Sequence, residues 1–389
     1  MRFHSYINSA KNILQQYDGG VPFSIWLKQF FKEHKKYGSK DRREITALCY
    51  GFYRLGAAFE NYTVEERILL GAFLTSEENN FVLQELKPEW NENIKLSGEE
   101  KLRLLHVQKE SFHFFPLLNE LSEAINKEQF DLSFLQQPLL YLRIRPGKKK
   151  IVSSKLQNAS IAFEFIGNDC ITLANSSKVD EVIELNKEAV VQDYNSQRIG
   201  ELFQNFKLQT TNYKPSVWDC CAASGGKSIL AYDIIPNIML TVSDVRESIL
   251  RNLKRRFEQA GIKNYKSFVA DLSTHSPFTS HHSLFDLVIC DAPCSGSGTW
   301  SRTPEQLHFF KKEKIDHYAQ LQKSIVVNAC KAVKEKGFFL YITCSVFKKE
   351  NEEVVEFIQA NTSLELVSKK YFIGYDKKAD TLFTALFAL

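Results

Sequence analysis

The chain has 389 residues, 44% hydrophobic and 25% charged, enough apolar material for two or three cored domains and too little charge bias for a disordered tail. A net charge of +4 suits a polyanionic partner only if Lys and Arg are gathered on one face. Eight cysteines in apolar runs without CxxC spacing, no HExxH, no signal-peptide core and no run of membrane-spanning length argue against a secreted disulfide scaffold, a metal site or a membrane protein, and the expectation is a cytoplasmic monomer.

Residues 1–130 read as wholly helical. In GSKDRREITALCYGFYRLG, Ser39 can cap a helix whose apolar stripe is Ile45, Leu48, Cys49 and Phe52. Arg42, Arg43 and Arg54 lie off that stripe, as a solvated basic face or a docking face. LKPEWNENIKLSGEE, with Pro88 and Gly98, reads as a loop. From about residue 138 the texture changes. PLLYLRIRP reads as a strand, IVSSKLQNASIAFEFIG as helix then strand, and KVDEVIELNKEAVVQD again as helix then strand. This makes a small α+β module over 131–195, whose most basic stretch (Arg143, Arg145, Lys148, Lys149, Lys150) is a candidate nucleic-acid contact.

From about residue 215 short apolar strands alternate with helices: SVWDCC, IMLTVSDV, KSFVADL, FDLVICDAP and GFFLYITCSV. Alternation of this kind implies a doubly wound, largely parallel sheet, in which ligands bind at the carboxyl ends of the strands. The first strand ends in Asp219 and runs through Cys221, Ala222, Ala223, Ser224, Gly225, Gly226 and Lys227 into a helix. A dinucleotide fingerprint needs GxGxxG, which is absent, and a P-loop needs glycine where Cys221 stands. The loop of an S-adenosylmethionine-dependent enzyme fits better. The second strand then ends in an acid for the ribose hydroxyls, Asp244, and the third in a residue for the adenine amine, Asp271. Acids end four successive strands, the fourth being Asp291.

Cys294 follows Asp291, and Cys344 ends the next strand. If those strands are neighbours, the two ends lie about 5 Å apart. Methylating C5 of cytosine needs a thiolate that adds to C6, an acid near N3 and a sulfonium close by. The two thiols and Asp291 meet that need, and spacing leaves the thiols interchangeable.

CAASGGK, DAPCSGSG and YITCSVFKKENEEVV resemble the motifs of the RNA 5-methylcytosine methyltransferases of the RsmB/Sun (Fmu) type, over residues 138–389. The helical N-terminus resembles, more loosely, a NusB-like RNA-binding domain. The resemblance implies three parts: a helical RNA-docking domain (1–130), an RRM-like α+β module (131–195) and a Rossmann-like class I α/β methyltransferase domain (196–389). It implies Cys344 as nucleophile, Cys294 as the thiol that assists release, Asp291 as the group at N3 and Lys227 in support. S-adenosylmethionine would be held by residues 221–227, Asp244, Asp271 and Asp291. Small-subunit ribosomal RNA is the implied partner, with transfer RNA, or a non-catalytic ribosome-assembly role, as alternatives. One departure stands out: the family usually carries proline where Ser224 stands. Asn351 and Glu352 either hold the loop after Cys344 through hydrogen bonds or belong to a solvated acidic helix face.

Overall fold

A computed structural model describes residues 2–107, 112–209, 214–278 and 284–389. The chain forms two compact units. The first comprises Met1–Leu121, Asn126–Gln137 and Thr299–Lys312, and the second Ser122–Ile125, Pro138–Gly298 and Glu313–Leu389. Residues 299–312, which the sequence reading placed in the catalytic domain, therefore fold with the helical unit.

In the first unit the stripe expected on the helix Ser39–Arg54 is buried throughout: Ile45, Leu48, Cys49 and Phe52. This helix meets Val64–Thr75 at Gly51 and Gly71, where a Cβ on Gly71 would come within 2.4 Å of the Gly51 carbonyl carbon. Three local expectations are corrected. The N-cap is Gly38 rather than Ser39, and the Gly38 N–H donates to Asp41 Oδ2 at 2.9 Å. The expected loop at 86–100 contains two helices, because Pro88 sits at a first-turn position, where its missing N–H costs nothing, and Ser97 with Glu100 forms a capping box for Gly98–Leu104. Arg54 is no solvated cation. It is 3% exposed and donates to the carbonyls of Phe134, Gln136 and Ser301 and to Gln137 Oε1, at 2.9–3.0 Å.

The second unit carries two sheets. The smaller is antiparallel, in the order β2-β3-β1-β4, from β1 (Leu140–Ile144), β2 (Glu164–Ile166), β3 (Cys170–Leu173) and β4 (Ala189–Val191). The helix Lys149–Asn158 joins β1 to β2 and buries Val152 and Leu156. The second helix expected here is only a 3-10 turn, Val179–Glu181. Arg143 and Arg145, expected as candidate nucleic-acid contacts, are turned into the fold, with side chains 6% and 11% exposed. Arg143 Nη1 and Arg145 Nη2 reach the buried Asp233 carboxylate at 2.6 and 2.5 Å. Lys149 and Lys150 remain exposed.

The larger sheet runs β10-β11-β9-β8-β5-β6-β7. Its strands are β5 (Ser216–Asp219), β6 (Met239–Asp244), β7 (Tyr265–Val269), β8 (Phe285–Asp291), β9 (Val333–Thr343), β10 (Glu365–Phe372) and β11 (Leu382–Ala388). From β7 to β9 the pairing is parallel, and β11 and β10 are antiparallel to their neighbours. The expected Rossmann-like sheet is present. Alternate residues of β8 feed opposite cores, as the period of two requires. Leu287 and Ile289 pack with Leu230, Leu253 and Phe257, whereas Val288 and Cys290 pack with Val326, Val354 and Ile358. Strand order reverses between β5 and β8, which opens a crevice at their carboxyl ends.

Candidate active site

At the end of β5, Asp219 is 1% exposed and accepts a hydrogen bond from Ser228 Oγ at 2.5 Å, while its Oδ1 is buried without a partner. Burial pushes its carboxyl up to about 7, opposed by the Ser228 bond. The loop beyond turns through two left-handed residues, Ala223 at φ 45° and Gly225 at φ 82°. Alanine pays strain in that region, and it is held there by its N–H donating to Asp244 Oδ2 at 3.0 Å. A Cβ on Gly225 would lie 2.7 Å from the Phe257 ring, so glycine is required; a Cβ on Gly226 would meet open space. Ser224 is held by Arg256, whose Nη1 donates to Ser224 O at 2.9 Å and Oγ at 2.8 Å. That contact fixes the backbone at Ser224.

Asp244, at the end of β6, is 5% exposed. Besides Ala223 it accepts from Arg246 N and Nε, both at 3.0 Å. Asp271 behaves differently. It is exposed, and its carboxylate takes the Ser273 N–H at 2.9 Å and Oγ at 2.6 Å, which holds its pKa below the usual value. No hydrogen bond joins it to Asp219, Asp244 or Asp291 among the described residues.

β8 and β9 are parallel neighbours, and their ends bring Cys294 Sγ to 3.3 Å from Cys344 Sγ. Lys227 Nζ lies 2.5 Å from Asp291 Oδ2, with side chains 12% and 28% exposed. Burial pulls the Lys227 pKa down, but Asp291, with Cys344 and Asp219, outweighs it and holds the amine above its ordinary value. The Cys294 thiol is pushed well up, first by its hydrogen bond with Cys344, then by burial, with the charge of Glu350 adding to both.

Sequence reading missed two features. Glu350, fully buried, accepts from Ser295 N–H, Ser345 Oγ and Gln322 Nε2. The neighbouring Asn351 does hold the loop, through Thr343 Oγ1 and Ser345 O. The other is a trio of thiols, Cys220, Cys221 and Cys290, whose sulfurs lie within 4.8 Å of one another. Only the pairing of β5 with β8 brings them together, so no linear spacing signals it.

The family model described as 16S rRNA methyltransferase RsmB/F matches residues 206–382. Ribosomal RNA small subunit methyltransferase B of Xylella fastidiosa is 28% identical over 62% of this chain and 56% of that protein. The protein named probable ribosomal RNA small subunit methyltransferase B of Coxiella burnetii is 31% identical over 42% and 39%. The chain thus spans about half the length of the curated relatives it matches. Among solved structures, PH0851 has a TM-score of 0.70 at 19% identity, over 99% of this chain and 98% of that one. A methyltransferase homolog protein from Pyrococcus horikoshii has a TM-score of 0.55 at 18% identity, over 70% and 92%. At these identities both show the fold.

Proposed function

Residues 206–382 belong to the RsmB/F methyltransferase family, and from that premise we propose that the protein methylates C5 of a cytosine in small-subunit ribosomal RNA, with S-adenosylmethionine as donor and Cys344 as nucleophile. The observation that carries this reading is the thiol pair at the ends of neighbouring strands: the sulfurs lie 3.3 Å apart, and the Cys294 thiol is pushed well up, first by its hydrogen bond with Cys344 and then by burial. A thiol with a raised pKa keeps its proton, and the nucleophile has to be a thiolate. Cys344 is the sulfur suited to attack, and Cys294 is the one suited to keep its proton.

The loop residues fit the cofactor. There is open space over Gly226, and Ala223 N–H is pinned on Asp244 beside it. The orphaned Oδ1 of Asp219 offers an acceptor below the loop. Residues 221–227 and Asp244 would hold the cofactor, with Asp271 and Asp291 near its adenine and its sulfonium. When bound, S-adenosylmethionine supplies an electrophilic methyl group.

The chain's own residues then divide the work. The Cys344 sulfur bonds to C6 and the C5–C6 π pair moves toward C5 and the ring amide. Asp291, bonded to the Lys227 ammonium at 2.5 Å, relays a proton from it to N3, which neutralises the developing charge. After C5 is methylated, its proton passes to solvent, the C–H electron pair re-forms the C5–C6 double bond, the Cys344 sulfur departs with the C6–S electron pair while the neutral Cys294 thiol donates a hydrogen bond to it, and N3 returns its proton to the Lys227–Asp291 pair.

The thiols separate by outcome. Cys344→Ala is expected to lose turnover and every covalent RNA adduct. Cys294→Ala is expected to attack and methylate but stall before elimination, and so to accumulate a protein–RNA species that survives denaturing electrophoresis and carries labelled methyl. The double variant should show no adduct. Adducts trapped in Cys344→Ala and absent from Cys294→Ala would reverse the roles and sink the assignment.

A further inference from the structure

A carboxylate with no solvent exposure is costly unless it is fully hydrogen-bonded, and an apolar residue of similar volume would suit the core better. Glu350 has none, lies in the 3-10 turn Lys348–Glu350, and its pKa is raised by burial. Its bonding partners share one property. Oε2 accepts the Ser295 N–H at 2.8 Å, one residue beyond Cys294. Oε1 accepts Ser345 Oγ at 3.0 Å, one residue beyond Cys344. Oε2 also takes Gln322 Nε2 at 3.1 Å, and the same nitrogen reaches Pro293 O at 2.9 Å, on the other side of Cys294. Glu350 therefore holds the chain immediately after each thiol, and through Gln322 it is linked to the residue before Cys294. Its own backbone is anchored too, because Tyr341 Oη donates to Glu350 O at 2.7 Å. Weaker links run in parallel: Ser295 Oγ to Ser345 Oγ at 3.2 Å and Gly298 N–H to Cys344 O at 2.8 Å.

We propose that Glu350 is a positioning residue that sets the separation and relative orientation of the Cys294 and Cys344 sulfurs. Its consequence for turnover rests on the methyltransferase reading above, but its effect on the thiol pair does not. Without it, links such as those between the serine hydroxyls and the Gly298–Cys344 backbone bond would remain, and these tolerate displacement. A shift on the order of 1 Å in reacting groups costs about 100-fold in rate.

The test uses the full chain without RNA. Diamide oxidises two nearby thiols: the S–S bond forms, and diamide accepts both hydrogens to become its hydrazine. The Cys294–Cys344 disulfide is quantified by peptide mass spectrometry over time. Wild type should form it readily. Glu350→Ala should form it at least about tenfold more slowly, and its kcat should fall about 100-fold with cofactor affinity unchanged. Glu350→Gln should recover most of both rates. Its amide oxygen in the place of Oε2 still accepts from Ser295 N–H and Gln322 Nε2, and its N–H₂ in the place of Oε1 donates to Ser345 Oγ, a hydroxyl that can also accept. A folded Glu350→Ala that forms the disulfide at the wild-type rate overturns the proposal. If Glu350→Ala fails to fold by circular dichroism, Ser345→Ala removes one strut alone; slower trapping supports the proposal and an unchanged rate overturns it. Loss of the cytosine-methylation reading would show elsewhere, as RNA methylation that persists in Cys344→Ala while the trapping results stand.

Discussion

Asp219 shows how much of the site's behaviour is set by burial rather than by residue type. Its carboxyl is raised to about 7, first by burial and against the Ser228 hydrogen bond. An unfolded aspartate titrates at about 4. Between these values the folded chain binds a proton that the unfolded chain lacks, so stability falls as pH rises from about 4 to about 7 and is level above. Asp219→Asn removes that titration. Its stability relative to wild type should therefore increase across the same window, on the order of 1 kcal/mol per pH unit, as read from urea midpoints at pH 4 to 8. A pH-independent difference between the two proteins would show that Asp219 stays ionised. The acids Asp219, Asp244 and Asp291 were legible in the sequence because each closes an apolar run. Glu350 was not, since ENEE after a strand reads equally well as a solvated helix start. Only the fold shows that Glu350 is enclosed and Glu353 is not.

At the scale of elements, the parallel half of the large sheet was readable and its antiparallel edge was not. β5, β6, β8 and β9 are short apolar runs that turn polar at one end. β10 presents Lys369 and Lys370 on an exposed edge, so its pattern is that of surface chain. The start of β9 was also hidden. Val333–Gly337 reads as helix end, but the preceding helix stops at Cys330, and Lys336 takes φ 61°. Arg54 illustrates the same limit, since helical spacing put it off the apolar stripe and tertiary structure buried it. It ties the helix Ser39–Arg54 to the chain at 134–137 and at Ser301, three segments remote in sequence. Arg54→Ala leaves several buried carbonyls without donors, and a hydrogen bond from a charged group contributes about 1.5–3 kcal/mol. A loss of about 3 kcal/mol or more is expected in denaturant midpoints. A midpoint within error of wild type would mean that the carbonyls find water instead.

Over the whole molecule, a net charge of +4 gives little indication of where a polyanion would dock. The helical unit narrows the choice, because Lys32, Lys35, Lys36, Lys40 and Arg42 are all exposed at the end of one helix and the start of the next. Lys36 lies over the Tyr37 ring at 5.1 Å and Lys40 over Phe81 at 4.4 Å, which orients them without neutralising them. Deleting this unit is a poor test. Thr299–Lys312 folds with it and follows directly after the Cys294 loop, so truncation would strip a segment joined to the site. Charge removal is cleaner. If these residues contact phosphates, each releases condensed counterions, and the logarithm of RNA affinity falls with the logarithm of salt by about 0.7–0.9 per contact. Replacing Lys35, Lys36, Lys40 and Arg42 with Gln should therefore flatten the slope by up to about 3 units and weaken binding most at low salt. Cofactor affinity, held at the end of the large sheet, should not change. An unchanged slope with weakened binding to another protein would make this basic stretch a protein-docking surface, and the RNA would have to be held by the exposed lysines of the smaller sheet's helix, Lys149 and Lys150.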